Sequence, residues 1–234
     1  MSKEAIILAG GLGTRLRSVI SDLPKCMAPV AGKPFLAYVI EYLLKQGVQK
    51  FIFSLGYKNE MITDFINVQF STINFQFSIE EEPLGTGGAI KLACNKATEK
   101  TVLIVNGDTL FTIDVNKLAL FHNMCGADCT LSLKPMQNFD RYGVVELNKD
   151  YSIKSFNEKK FYEAGLINGG TYALHAEKFS KEDLPEKFSF EKEYLEKYFD
   201  KRRMYGVVQD KYFIDIGIPE DYERAQKEIK IPDS

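Results

Sequence analysis

Residues 4–16, Glu4-Ala-Ile-Ile-Leu-Ala-Gly-Gly-Leu-Gly-Thr-Arg-Leu16, decide how this chain is read. The first six form a short, largely apolar run of the kind that fills a buried strand. Gly10, Gly11 and Gly13 let the backbone come close to a ligand and present successive N–H groups to an anion. Arg15 adds a guanidinium whose rigid fork matches phosphate oxygens. Dinucleotide-binding loops also place glycines behind a strand, but Gly11-Leu-Gly-Thr-Arg-Leu16 lacks the third glycine of that fingerprint. A redox enzyme on a dinucleotide fold is therefore disfavoured, and a phosphate-binding loop at the end of a first strand is expected.

Working outward, Phe35–Gln46 places Phe35, Val39 and Leu43 at helical spacing, with Gly47 as a stop signal. Lys50–Leu55 reads as a second strand, Glu60–Phe65 as a helix and Phe75–Glu80 as a third strand. Gly88–Cys94 reads as a helix behind glycines, and Thr101–Asn106 as a buried strand running into Asp108. This alternation predicts an α/β sheet covered by helices. Ligands gather beyond the carboxyl ends of such strands, where Gly10, Glu80–Gly85 and Asp108 all fall. The second half is richer in strands: Asp128–Lys134, Arg141–Leu147, Ser152–Asn157 and Gly169–Leu174. They are expected to form an antiparallel lobe roofing the sheet. Residues 176–203 read as a charged, helical, mostly solvated surface. One domain spanning 1–234 is expected, with an alternating α/β half of about 1–110 and a strand-rich half of about 111–234.

The chain has 234 residues, enough for one full core. Its 30 Lys plus Arg against 32 Asp plus Glu give no basic footprint for nucleic acid and no polybasic membrane anchor. An anionic ligand would then be held by a few placed cations. No apolar stretch approaches the roughly 18 residues of a membrane span, and the N-terminus shows no signal-peptide pattern. Cys26, Cys94, Cys125 and Cys129 fit free thiols of a reducing cytoplasm, so a cytoplasmic protein is expected. Cys125 and Cys129 have no second Cys/His pair and read as small packing residues.

Pro24-Lys25, Gly32-Lys33-Pro34, Glu82-Pro-Leu-Gly-Thr-Gly-Gly88, Asn106-Gly-Asp108 and Asp215-Ile-Gly-Ile-Pro-Glu-Asp-Tyr222 follow the loop in that order. Together the set resembles the sugar-1-phosphate nucleotidyltransferases, from about residue 4 to residue 225. Within that family, residues 10–25, 27–36 and Leu166-Ile-Asn-Gly-Gly-Thr-Tyr172 resemble the guanylyltransferases of D-glycero-α-D-manno-heptose 1-phosphate. The resemblance implies a Rossmann-like three-layer α/β/α nucleotide-diphospho-sugar transferase fold. Its central sheet would be mixed but mostly parallel, beside a smaller β-rich sugar-binding lobe. It also implies GTP and a sugar 1-phosphate of heptose or mannose type as partners, Mg²⁺ as cofactor, and a GDP-sugar plus pyrophosphate as products. Mannose-1-phosphate guanylyltransferases and uridylyl- or thymidylyl-transferring relatives are alternatives of the same class. A catalytically silent nucleotide-binding subunit is the alternative of a different class, but it should have lost Arg15, Lys25 or a metal aspartate. A homo-oligomer is compatible with this reading. A single activity is expected, because no C-terminal repeat domain of the kind some relatives add follows the last helix.

In the implied reaction a sugar-phosphate oxygen, already anionic near neutral pH, attacks the α-phosphorus of the triphosphate. No general base is needed, and His122 and His175, which lie in no motif, read as packing or surface residues. The obstacle is repulsion between anions, met by positive charge and in-line placement. Carried over from the family, Arg15 grips the triphosphate and Lys25 approaches the reacting phosphates; with Asp108 they are the expected catalytic residues. Pro24 limits the lysine's approach through its locked dihedral. Cys26 stands where the family usually has a second proline, which frees the loop slightly. Leu8, Ala9, Gly10, Gly11, Gly13, Thr14, Glu80, Gly85, Thr86 and Asp108 would surround the nucleotide.

Mg²⁺ is commonly held by one or two carboxylates plus substrate phosphates, which suits Asp108 and Asp215 at strand ends. Both also lie in good turn sequences. Asp221 reads as the start of the last helix. The resemblance assigns Tyr142, Gly143, Glu158, Lys159, Asn168 and Gly169 to the sugar-phosphate pocket. There Glu158 would accept from sugar hydroxyls and Lys159 would neutralise the sugar phosphate. Gly143 and Asn168 would turn backbone and amide groups to the ring. The family's Glu-Lys-Pro is Glu158-Lys159-Lys160 here, which alters the loop. Glu80 precedes Pro83 by three residues, where thymidylyl- and uridylyl-transferring relatives tend to carry glutamine. Guanine offers adjacent N1–H and N2–H₂ donors, for which a carboxylate is the best single acceptor, so Glu80 is the expected base reader. The alternative is that Glu80, Glu81 and Glu82 form a solvated acidic run.

Overall fold

The computed structural model describes residues 3–11, 16, 20 and 22–229. Gly13, Thr14 and Arg15 lie outside the described residues. Strand β1 (Glu4–Leu8) leads into the glycine loop, and a short hairpin of β2 (Pro29–Val30) and β3 (Lys33–Pro34) precedes α1 (Phe35–Lys45). The alternating half continues through β4 (Lys50–Leu55), α2 (Asn59–Gln69), β5 (Asn74–Ile79), α3 (Gly85–Cys94) and β6 (Thr101–Asn106). Next come β7 (Thr109–Phe111), α4 (Val115–Cys125), β8 (Cys129–Phe139), β9 (Val144–Leu147), β10 (Ile153–Asn157) and β11 (Tyr162–His175). The last elements are α5 (Ala176–Ser180), a π-helical turn at Phe190–Leu195, α6 (Glu196–Tyr198), β12 (Met204–Val208), β13 (Phe213–Asp215) and α7 (Pro219–Glu228).

The apolar run that opens the chain sits at the centre of the sheet. The strand order is β10-β9-β11-β6-β1-β4-β5, with β6, β1, β4 and β5 parallel and β11 antiparallel to β6. Successive side chains of a strand point to opposite faces. Accordingly Ala5 and Ile7 pack with Phe35, Val39 and Leu43 of α1, and Ile62 and Ile66 of α2. Ile6 packs with Ile90 of α3 and Phe179 of α5 on the other face. A strand buried on both faces needs unbroken apolarity, which is why β1 does not alternate. The result is the expected three-layer α/β/α arrangement around a mixed, mostly parallel sheet. Helix α1 stops where the glycine signal stands, with Gly47 at φ +86.

Three expectations are corrected. The β-rich half does not roof the sheet; it extends it. β11 is 14 residues long, so its second half pairs with β6 while its first half reaches β8 and β9. The register of β11 against β8 shifts between Asn168 and Tyr172, at Gly169-Gly170. Helix α3 starts at Gly85, before the expected Gly88, because Gly85 adopts φ +72 and turns the chain directly into the helix. A methyl group on Gly85 would lie 2.6 Å from the Phe188 carbonyl oxygen. Finally, residues 176–203 are not mainly a solvated face. Phe179, Phe188, Phe190, Tyr194 and Leu195 are all buried, anchoring a charged strap onto α3.

Both histidines pack inside, and His122 Nδ1 lies 3.0 Å from Thr130 Oγ1. Burial foremost, then the neighbouring His175, lowers the His122 pKa from an ordinary 6.5 to about 4. Below pH 6.5 the unfolded chain therefore takes up a proton that folded His122 refuses, and stability falls with pH. Its contribution to that loss between pH 7 and pH 5 is about 2 kcal/mol. Urea unfolding at both pH values should show a loss smaller by this amount in His122→Asn; identical pH slopes would remove His122 as the cause. Among the described residues, no helix is long and apolar enough to cross a membrane.

Candidate active site

The ends of β1 and β6 lie side by side, with Leu8 opposite Asn106 and Gly107 N–H donating to the Leu8 carbonyl at 2.8 Å. Asp108 therefore emerges next to the glycine loop. β13 pairs antiparallel with β7, setting Asp215 opposite Thr109, and Ile216 N–H donates to the Asp108 carbonyl at 3.1 Å. Two aspartates remote in sequence are thus brought to one spot by a short ladder. Lys25 reaches the same spot from a 3₁₀ turn: its Nζ is 2.5 Å from Asp108 Oδ2 and 3.4 Å from Asp215 Oδ1. The turn is held from beneath by Cys26, which is buried with Sγ 3.8 Å from the Ala9 carbonyl oxygen. Burial above all pushes that thiol up to about 12, so it stays neutral.

Burial, then the charge of Asp108, pushes the Asp215 carboxyl above the usual carboxylate range, and Lys25 pulls it back. Two carboxylates converging on one cation form a hard oxygen donor pair suited to Mg²⁺, with substrate phosphates or water completing the shell. No group of three or more Asp, Glu, His or Cys residues able to hold a metal occurs among the described residues.

Two cavities meet here. The first, of about 400 Å³, is lined by Leu8, Ala9, Gly10 and Gly11 of the glycine loop, by Gly85 and Thr86 of α3, and by Glu80, Lys25 and Asp108. The second, of about 630 Å³, is lined by Tyr142, Gly143, Glu158, Lys159, Asn168 and Gly169, together with Asp215. Asn106 lines both. Every residue expected at the nucleotide that falls within the described residues borders the first cavity, and every residue expected at the sugar phosphate borders the second.

Glu80 stands apart from its acidic neighbours. It is half-buried, and its Oε2 accepts the Leu84 N–H at 2.7 Å, whereas Glu81 and Glu82 are exposed. Burial raises its carboxyl pKa, opposed by the Leu84 hydrogen bond. The close approach of Gly10 is real: a methyl group there would lie 2.7 Å from Glu80 Oε1. Asn168 is engaged at both ends, accepting from Gly170 N–H at 3.1 Å and donating to Tyr172 Oη at 2.8 Å. Asp221 does open α7, where it is buried and paired with Arg141 and Arg224.

Several lining residues were missed by sequence reasoning. Gly217 borders the first cavity against Lys25, and Glu191, Lys192 and Glu196 border the second. Gly217 belongs to the Asp215-Ile-Gly motif and was open to discovery. The strap residues carry no motif, and only the buried aromatics between their charges hint at a docked segment.

A model of the nucleotidyl transferase family matches residues 4–231. D-glycero-alpha-D-manno-heptose 1-phosphate guanylyltransferase of Aneurinibacillus thermoaerophilus is 53% identical over 227 residues, covering 97% of this chain and 98% of that protein. The protein of the same name from Campylobacter jejuni subsp. jejuni is 48% identical, covering 94% of this chain and 96% of that protein. The crystal structure of HddC from Yersinia pseudotuberculosis complexed with GMP-PN superposes with a TM-score of 0.85 at 40% identity, covering 96% of this chain and 98% of that one. With the glycine loop, the lysine and the two aspartates assembled at one point, and the match running almost end to end, the chain belongs to the nucleotidyl transferase family.

Proposed function

We propose that this protein is a guanylyltransferase that joins D-glycero-α-D-manno-heptose 1-phosphate to GTP, giving GDP-heptose and pyrophosphate. The observation that carries the reading is the pair of adjoining cavities, with Asp108 on one, Asp215 on the other and Lys25 bonded to both. The names of the two relatives support the choice of sugar and base. A cytoplasmic setting goes with this chemistry. The intact trio of Lys25, Asp108 and Asp215 speaks against a silent subunit.

In this reading GTP lies over the glycine loop with its base toward Glu80 and Gly85, and the sugar phosphate enters between the Tyr142 and Glu158 loops. Lys25 sets its ammonium where the α-phosphate meets the attacking oxygen, and Arg15 grips the triphosphate. Lys159 neutralises the incoming phosphate; no ion pair ties it up among the described residues. Asp108 and Asp215 would hold Mg²⁺, which supplies positive charge to the phosphate oxygens. The attacking oxygen is already ionised, so catalysis rests on placement and charge without a proton acceptor.

Four nucleoside triphosphates tested against mannose 1-phosphate and heptose 1-phosphate, read as pyrophosphate release, decide the assignment. GTP with heptose 1-phosphate should give the highest kcat/KM. A mannose 1-phosphate optimum would make it a mannose enzyme, and no release with any pair would make it a silent subunit. Lys159→Ala should raise the KM for the sugar phosphate by about tenfold while leaving that for GTP within about twofold. Equal losses for both substrates would place Lys159 outside the sugar pocket.

A further inference from the structure

The strap around Phe188–Glu191 ties the two cavities together. Phe188 N–H donates to the Leu84 carbonyl at 3.0 Å, and its own carbonyl accepts Gly87 N–H at 2.9 Å, docking the strap on the start of α3. Thr86, on the first cavity, is then held twice. Its Oγ1 accepts the Phe190 N–H at 2.9 Å and donates to Glu191 Oε2 at 2.8 Å. Glu191 lines the second cavity.

The same Oε2 also accepts from Ser189 Oγ at 3.1 Å. Two donors on one oxygen fix the direction of the carboxylate, while no hydrogen bond to Oε1 occurs among the described residues. The group stands beside the Asn168–Tyr172 corner of the cavity. Burial first, then the Glu191 charge, raises the pKa of the Tyr172 phenol, whose oxygen accepts from Asn168. Phe190 packs edge-on against Tyr172 with ring centroids 5.2 Å apart, which keeps the strap from drifting off that corner. A carboxyl oxygen with unused acceptor capacity on a cavity wall suits hydroxyl donors, and a hydrogen bond to a carboxylate is stronger than one to a neutral acceptor.

Resting on the assignment of the second cavity to the sugar phosphate, we propose that Glu191 accepts a hydroxyl of the sugar and is aimed at it by Thr86 of the nucleotide cavity. Glu191 touches substrate, and Thr86 acts through it as a positioning residue. Nucleotide contacts on one side of Thr86 and sugar contacts through Glu191 thereby share one hydroxyl group.

The test is steady-state kinetics of Glu191→Gln at saturating GTP, with heptose 1-phosphate and its single-deoxy analogues. Loss of the charge should raise the KM for the intact sugar phosphate by about tenfold, with kcat and the KM for GTP changed less than about twofold. One deoxy analogue should give the same KM with wild type and Glu191→Gln, because its missing hydroxyl is the one Glu191 receives. Thr86→Val should raise the sugar-phosphate KM in the same way, and Thr86→Ser should restore it. An unchanged sugar-phosphate KM in Glu191→Gln, or the same penalty on every deoxy analogue, overturns the Glu191 assignment. A Thr86→Val effect confined to GTP overturns the positioning role. Failure of the underlying sugar-site reading looks different: Lys159→Ala would then leave the sugar-phosphate KM unchanged as well.

Discussion

Asp108→Asn is expected to lower kcat by roughly two orders of magnitude or more while leaving the folded protein intact. The side chain is one-third exposed and its bond to Lys25 lies at the surface end of β6. Asparagine keeps the shape and an oxygen for the lysine, and Asp215 remains 3.4 Å from Nζ, so Lys25 is not left stranded. Removing one of two facing negative charges also relieves the repulsion that helps raise the Asp215 pKa. The net change in stability should stay within about 1 kcal/mol. The reaction has no such compensation, because a neutral amide is a poor ligand for a hard divalent cation and leaves charge on the reacting phosphates unbalanced. Melting temperature and kcat measured across a Mg²⁺ titration separate the two effects. Near wild-type kcat in a folded variant would remove Asp108 from the metal site.

Glu80→Gln should cost the use of GTP about 1.5–3 kcal/mol, the range for a hydrogen bond to a charged group. Glutamine can still accept the Leu84 N–H, which Glu80 Oε2 now takes at 2.7 Å, so the wall of the cavity should survive. What it lacks is a second acceptor oxygen to meet the paired donors of guanine. UTP and dTTP have no such donor pair, and their use should be unchanged or improved. The measurement is the ratio of kcat/KM values for GTP and UTP in variant and wild type, in which general damage cancels. An unchanged ratio would move base recognition to the backbone around Gly85.

The central strands were legible because their burial is written into local composition. β4 and β6 run over the spans that their apolar content predicts, and β1 ends within one residue of its expected limit. Such strands are covered on both faces, so the signal does not depend on which partner covers them. The peripheral elements were harder. β11 was recognised only from Gly169 onward, since its first half is mixed in polarity and gains its regularity from β8.

By itself, the sequence determined the glycine loop, the lysine turn and the two aspartates, because each lies in a short motif whose chemistry is local. Tertiary structure alone decided which of them meet. Lys25, Asp108 and Asp215 converge because β13 closes on β7 and the Cys26 turn tucks under Ala9, and neither pairing is encoded within a motif. It also decided that a charged stretch lines a cavity. Phe188, Phe190 and Tyr194 are spaced between acidic and basic residues, so their burial depends on the groove offered by α3 and β11. Only that long-range packing turns Glu191 from one more surface charge into a carboxylate aimed at the second cavity.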